Sequence, residues 1–408
     1  MEETTRSLKE VLRTVLEEQE LDPNSKQEIE KISAHLLLSC LYRVTVYCEG
    51  LMDSGKKFIV KTLRQDPVLN DKFDTRLFFE NESLFYNMLL ECFNVLQDVY
   101  LGGRYESFQS APKCFKAINN DEFSIIVLED LAERGYKESS RFKSLSLHEL
   151  SLLMKELGRF HALSLFVKHK KQNLFSAFKD LFKDPTYRKE FMGKTFNAWA
   201  SSVASWTVNL AKFRFQPNSK YMEKLQAFAT ARMGYTMLDV VRPKQEDEDY
   251  NVFNHGDLWV NNLLFHYPDA ESEAANEPDK MCFIDFQQCR YGSIGLDLSS
   301  VFFLLMDHDV RENHGEELLG VYYSSLCEFL SQLGYDSAKI FRYSAVKSQL
   351  EKYAQFGIAM SFLCLSYNLV NDNEDDIQDD GRYVRETTDD CRKRILDVIE
   401  ESVDLGYL

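Results

Sequence analysis

The chain has 408 residues, 44% of them hydrophobic, and carries 48 basic against 65 acidic side chains for a net charge of −17. That length suits two or three domains or one two-lobed unit, with enough apolar content for a sizeable core. The acidic excess argues against a nucleic-acid partner and an anionic membrane surface, but not against a phosphorylated ligand such as ATP, since a local Lys or bound Mg²⁺ can neutralise phosphates.

Leu8, Val11, Leu12, Val15 and Leu16 recur at helical spacing, and Asp22-Pro23-Asn24 closes that first helix. The segment before residue 20 is acidic and amphipathic, which is not the make-up of a signal peptide. Residues 41–48 alternate and are rich in Val, Tyr and Thr, which predicts a strand. Asp53-Ser54-Gly55-Lys56 makes a turn, and 58–63 is the returning strand of a hairpin. Ser54-Gly55-Lys56 echoes a phosphate-binding loop, but a strand follows where that loop needs a helix. A helix is predicted over 73–93 and a short buried strand over 123–128.

Beyond Leu131 the pattern turns helical. Leu147, Leu150, Leu153, Met154, Leu157, Phe160 and His161 share one helical face, which makes His161 a core histidine rather than a ligand. Further helices are predicted over 174–182, 187–213, 219–238, 295–310, 316–333, 339–371 and 389–403. Two short strands, 263–265 and 281–284, interrupt them, joined by an acidic connection. The acidic stretch 372–381 lacks the register of a Ca²⁺ loop and reads as solvated. A strand-rich first third and a helical remainder predict an α+β, two-lobed fold, divided into 1–130 and 131–408.

Nine cysteines, an odd number with no C-x-x-C pair, read as reduced thiols of a cytoplasmic protein. No apolar run is long enough to span a membrane.

The most informative stretch is His255-Gly256-Asp257-Leu258-Trp259-Val260-Asn261-Asn262, followed by Ile284-Asp285-Phe286-Gln287. A His-x-Asp-x(4)-Asn loop, with a second Asp ending the next apolar run, matches how kinase-like phosphotransferases place a base and two Mg²⁺ ligands. Asp257 is the candidate base. Asn262 and Asp285 are the candidate Mg²⁺ ligands, because Mg²⁺ takes amide and carboxylate oxygens and completes its shell with phosphate and water. His255 is expected to brace the loop by hydrogen bonding. The same chemistry requires a strand Lys for the phosphates and a helix Glu to pair with it. Lys61 and Glu82 stand at those places, with Glu80 as a rival partner. The strand ending in Leu128-Glu129-Asp130-Leu131 is placed to present backbone groups of Glu129 and Leu131 to adenine. No Ala-Pro-Glu signature follows Asp285, which weakens a protein-kinase reading.

Taken in order, Ile59-Val60-Lys61, Glu82 with Tyr86, Leu128 to Leu131, Leu157-Gly158-Arg159-Phe160-His161-Ala162, the His255–Asn262 loop, Ile284 to Gln287 and Gly295-Leu296-Asp297-Leu298 resemble the ecdysteroid kinase-like family. That family lies within the choline kinase and aminoglycoside phosphotransferase superfamily, and the resemblance spans about residues 30–370. It implies a two-lobed protein-kinase-like fold and ATP-dependent phosphorylation of a small alcohol, an ecdysteroid or a foreign compound undergoing detoxification. It also implies that Asp297 is a structural acid behind the catalytic loop. In Ser33-Ala34-His35-Leu36-Leu37-Leu38-Ser39 only Ser39 matches the expected phosphate-covering loop; Ala34 and Leu36 stand where a Gly and an Asn are usual. Either ATP affinity or rate is reduced, or the phosphates are held mainly by Lys61 and Mg²⁺. Two readings follow: an active small-molecule kinase, expected to be a monomer, and a pseudokinase that binds nucleotide or an apolar ligand without turnover.

Overall fold

The computed structural model describes residues 2–33, 39–47, 55–64, 66, 74–120, 122–140, 143–188, 197–230, 233–268, 277–336, 342–368 and 388–408. The N-terminal part is built on an antiparallel sheet of β1 (Lys26–Ser33), β2 (Ser39–Tyr47), β3 (Lys56–Leu63), β4 (Cys114–Asn119) and β5 (Ser124–Glu129), in the order β1-β2-β3-β5-β4. Helix α1 (Glu2–Glu18) lays Leu8, Val11, Leu12, Val15 and Leu16 on one face of this sheet, against Val44, Val46, Phe58, Val60, Ile125 and Val127. Strand alternation then turns Ile59, Lys61 and Leu63 to the opposite face, towards α2 (Thr75–Leu84). So the covering of one face by α1 fixes the direction of Lys61.

Two of these strands carry no clear sequence signal. β1 has only Ile29 and Ile32 among polar neighbours because it is a sheet edge, paired on one side to β2. β4 is the other edge and is only half-buried.

The predicted helix over 73–93 is longer and broken in kind. α2 passes into a π-helical segment, Phe85–Leu90, and then α3 (Glu91–Leu101). Asp74 caps its start by accepting from the Leu77 N–H at 3.3 Å.

The C-terminal part is mainly helical. Its central pair is α4 (Leu147–Lys170), opened by a Ser146/Glu149 capping box, and α10 (His308–Gln332). Between them in sequence come α5 (Gln172–Leu181), α6 (Asn197–Ala211), α7 (Lys220–Thr230), α8 (Met233–Val241) and α9 (Ile294–Ser300); α11 (Tyr343–Lys352), α12 (Ala354–Asn368) and α13 (Asp389–Asp404) follow. At Gly158 the α4 backbone approaches α10 so closely that a Cβ would meet the Tyr322 carbonyl at 2.6 Å.

Several predicted helices divide differently. Of the helix predicted over 187–213, residues 187 and 188 are not helical: the Asp184 carboxylate accepts from the Thr186 and Tyr187 N–H groups and makes a turn there. The long apolar stretch after α9 takes a π segment, Val301–Leu305, and breaks at Met306, where Asp307 caps α10. Within the predicted span 339–371, the described residues form two helices, α11 and α12, that meet at Tyr353, whose hydroxyl donates to Asp247 at 2.7 Å.

Small strands inside the helical part shape the site. β7 (Asn251–Asn254) pairs with β10 (Arg290–Ser293), while β6 (Tyr136–Glu138), β8 (Leu263–His266) and β9 (Lys280–Phe283) form a three-stranded sheet. The His255–Asn262 loop therefore spans β7 to β8, and Asp285 lies between β9 and β10. Among the described residues no helix is long and apolar enough to cross a membrane.

Candidate active site

Five of the predicted site residues come together. Lys61 Nζ lies 2.6 Å from Glu82 Oε2 and 2.9 Å from Asp285 Oδ1, joining the sheet, α2 and the β9–β10 turn. Glu80, the rival, is exposed. Lys61 and Glu82 are both almost fully buried. Burial favours the neutral amine at Lys61, but the charges of Asp285 and Glu82 outweigh it and hold the ammonium. Burial also pushes the Glu82 carboxyl up, against the pull of Lys61. A buried cation with two acids fits an ion-paired cluster whose members depend on one another.

Asp285 itself sits at φ +65°, a left-handed conformation rare for a residue with a side chain. Its neighbour Phe286 holds the turn in place: the ring stacks on Phe85 with centroids 3.5 Å apart and meets Tyr86 edge-on. The residue after Glu82 by three and the residue after Asp285 by one thus form one aromatic contact, which spaces α2 against the turn.

The loop bearing Asp257 is fixed from several sides. Asn262 Nδ2 donates to the Asp257 carbonyl at 2.9 Å and to its Oδ2 at 3.0 Å. His255 Nε2 meets the Ile284 carbonyl at 3.1 Å, so that nitrogen donates. Its Nδ1 is then free to accept from the Asp257 N–H at 3.3 Å. Burial holds the His255 ring below its ordinary range and therefore neutral, consistent with this tautomer. At the loop's base, buried Asp297 accepts from the His255 N–H at 2.7 Å and the Gly256 N–H at 3.0 Å. His161 Nε2 adds a third bond at 3.2 Å while its Nδ1 meets the Tyr322 hydroxyl. His161 is thus a satisfied core histidine. Burial alone would raise the Asp297 carboxyl, but these donors outweigh it and hold it low.

Burial, reinforced by Asp285, lifts the Asp257 carboxyl to about 7, against the opposing pull of Arg290, Asn262 and Lys61. A carboxyl poised near neutrality is suited to taking a proton in a transition state.

The metal donors fit a hard ion. Asn262 spends its amide N–H groups on Asp257, which leaves its carbonyl oxygen as a donor, and Asp285 offers the carboxylate oxygen not bound by Lys61. Two oxygen donors are what Mg²⁺ takes from a protein when phosphates and water supply the rest.

The remaining predicted residues stand apart from this cluster. Ser39 is buried at the start of β2, opposite Leu63. Ala34 to Leu38 lie outside the described residues, as does 372–381. The Glu129 carboxylate turns away to the Lys113 N–H at 2.8 Å and to Arg134. Leu131 packs with Tyr136, Cys282, Leu264 and Ile284 in a small apolar cluster separate from the main core. Leu264 and Ile284, which sequence reasoning passed over, follow Asn262 by two residues and precede Asp285 by one. Arg290, Gln288, Asp184 and Asn81 were also passed over.

A model of the ecdysteroid kinase-like family matches residues 35–335. No curated protein matches the chain. Among solved structures, a putative fructosamine-3-kinase from Haemophilus somnus 129PT aligns over 96% of both chains at 11% identity, with a TM-score of 0.38.

Proposed function

The chain belongs to the ecdysteroid kinase-like family, and from that premise we propose that it transfers the γ-phosphoryl group of ATP to the hydroxyl of a small apolar alcohol. One observation carries this: a buried Lys61 paired with both Glu82 and Asp285, beside a carboxyl lifted to about 7 at Asp257. Phosphoryl transfer asks for positioning and charge neutralisation, and these residues supply both.

Asp257 orients the acceptor hydroxyl and takes its proton. The acceptor oxygen then bonds to the γ-phosphorus as the bond to the ADP oxygen breaks. Lys61, held by Glu82, would contact the phosphates. Asn262 and Asp285 would hold Mg²⁺, which neutralises phosphate charge when bound. Leu131, Leu264 and Ile284 offer an apolar floor for adenine next to the backbone of Glu129 and Leu131. An ecdysteroid or a foreign alcohol undergoing detoxification is the acceptor class we favour, for a monomeric cytoplasmic enzyme of two lobes, 1–130 and 131–408.

The competing reading is a pseudokinase, and Ala34 and Leu36 in the loop that would cover the phosphates favour it. Thermal shift with Mg·ATP, followed by ATP consumption against a panel of alcohols including ecdysteroids, separates the two. Stabilisation with acceptor-dependent ATP consumption supports the kinase. Stabilisation without turnover across the panel supports the pseudokinase.

A further inference from the structure

The turn after Asp285 is tied to its surroundings by residues the transfer chemistry does not use. Arg290 is 3% exposed. Its Nε donates to the Gln288 carbonyl at 3.1 Å, and its Nη2 donates to the Gln288 Oε1 at 2.9 Å and the Gly256 carbonyl at 3.2 Å. One guanidinium thus joins the turn of Asp285 to the residue immediately before Asp257. Nη1 is buried without a partner among the described residues, and the ring of Tyr187 lies 4.9 Å from the guanidinium. An incompletely satisfied buried Arg is a poor way to stabilise a fold, which points to a role beyond stability.

The segment after α5 reaches this Arg from the other side. Asp184 Oδ2 is 3.4 Å from Arg290 Nε, and the Thr186 hydroxyl donates to Gln288 Oε1 at 2.9 Å. The same segment grips α2 twice. The Lys183 carbonyl accepts from Asn81 Nδ2 at 2.7 Å, next to Glu82, and Arg188 pairs with the helix cap Asp74 at 2.9 Å. Asn81 Nδ2 also lies 3.3 Å from the Cys289 carbonyl. Residues 183–188 therefore touch α2, the Asp285 turn and, through Arg290, the Asp257 loop.

We propose that Arg290 is a positioning residue for phosphoryl transfer and that residues 183–188 are a built-in latch, with Asp184 as its fixed anion, holding Glu82, Asp285 and the Asp257 loop in their working arrangement. Ordering such elements around an Arg commonly needs an added phosphate; here a carboxylate encoded in the chain occupies the pairing position. The arrangement thus needs no modification step to switch it on. This inference rests on the kinase reading for its kinetic consequence, not for its structural one.

The test uses the full chain with Arg290→Lys, Asp184→Ala and the near-isosteric Thr186→Val. Hydrogen exchange of the amides in 255–262 and 286–290 is measured without nucleotide, and kcat, the KM for ATP and the melting temperature are measured beside it. The latch predicts faster exchange in both segments for all three variants. It also predicts kcat lowered about tenfold or more for Arg290→Lys and Asp184→Ala, with the KM for ATP within about threefold of wild type. The double variant Arg290→Lys/Asp184→Ala should lose less in kcat than the product of the two single losses, because both disturb the Asp184–Arg290 pair. Unchanged exchange in Thr186→Val and Asp184→Ala overturns the latch. So does a parallel fall of melting temperature, kcat and ATP affinity, which marks a residue that only supports the fold. Absence of turnover in the wild type would defeat the kinase reading, while the exchange data would still decide the latch.

Discussion

The Asn262 amide holds Asp257 by both its carbonyl and its carboxylate, at 2.9 and 3.0 Å, so the proposed base and a proposed metal donor are one hydrogen-bonded unit. Asn262→Asp, which keeps an oxygen donor, should therefore still misplace Asp257 by removing the amide N–H groups, whereas Asp257→Asn retains the oxygens that accept them.

The pH dependence follows from the burial of Asp257. In the proposed transfer the working form of Asp257 is ionised, and burial pushes its carboxyl up to about 7. kcat/KM, which reports the free enzyme, should rise with pH up to about 7 and then level. Asp257→Asn should remove that limb and lower turnover by about 10³-fold. Its effect on stability has the opposite sense. The native carboxyl binds its proton more tightly than the unfolded one, so the wild type loses stability as pH rises from about 4 through 7. Thermal melts at pH 8 should therefore place Asp257→Asn at or above the wild type.

Lys61 cannot be removed alone without exposing two acids to each other. Lys61→Met should cost about 3–5 kcal/mol in denaturant unfolding, because Glu82 is left buried and unpaired. Pairing it with Glu82→Gln should recover much of that stability and none of the turnover. Recovery of turnover would show that the pair only packs the lobes.

Asp297 gives the opposite pH signature. Its donors hold the folded carboxyl below its ordinary value of 3.8, so its contribution is present above about pH 4 and is lost as pH falls through the lower, folded value. Asp297→Asn should cost about 3 kcal/mol near neutrality and flatten the acid limb of the stability curve. Chemical unfolding between pH 3 and 7 checks both.

Gly256 has no room for a side chain. It sits at φ +82°, and a Cβ would meet the Gln288 carbonyl oxygen at 2.2 Å. Gly256→Ala should shift the loop bodily, lowering kcat while costing at least about 1 kcal/mol of stability. Wild-type kcat in this variant would mean that the Gly256–Gln288 approach does not position Asp257.

The five clustered residues were legible in the sequence because each is bound to a short motif or a predicted element: Lys61 on the returning strand of a hairpin, Glu82 on a helix, Asp257, Asn262 and Asp285 in fixed spacing. What was not legible is what holds these members together. Arg290 to Gly256 and Asn81 to Lys183 are contacts to backbone carbonyls, which leave no trace in side-chain pattern. The turn at Asp184 falls in the gap between the predicted helices 174–182 and 187–213, but its pairing with Arg290 across the sequence left no local signal. Edge strands β1 and β4 were hidden because an edge needs little apolar alternation. The two π segments follow Glu82 and Asp297 within a turn of helix, and no residue period distinguishes them from α-helix in advance.

The most direct test of the central claim is mass-spectrometric detection of a phosphorylated alcohol formed from Mg·ATP by the wild type and by Asp257→Asn, with nucleotide binding of both measured by calorimetry. Product is expected with the wild type only, with comparable Mg·ATP binding by both. Tight binding by both with no product from either, across sterols and smaller apolar alcohols alike, would contradict it.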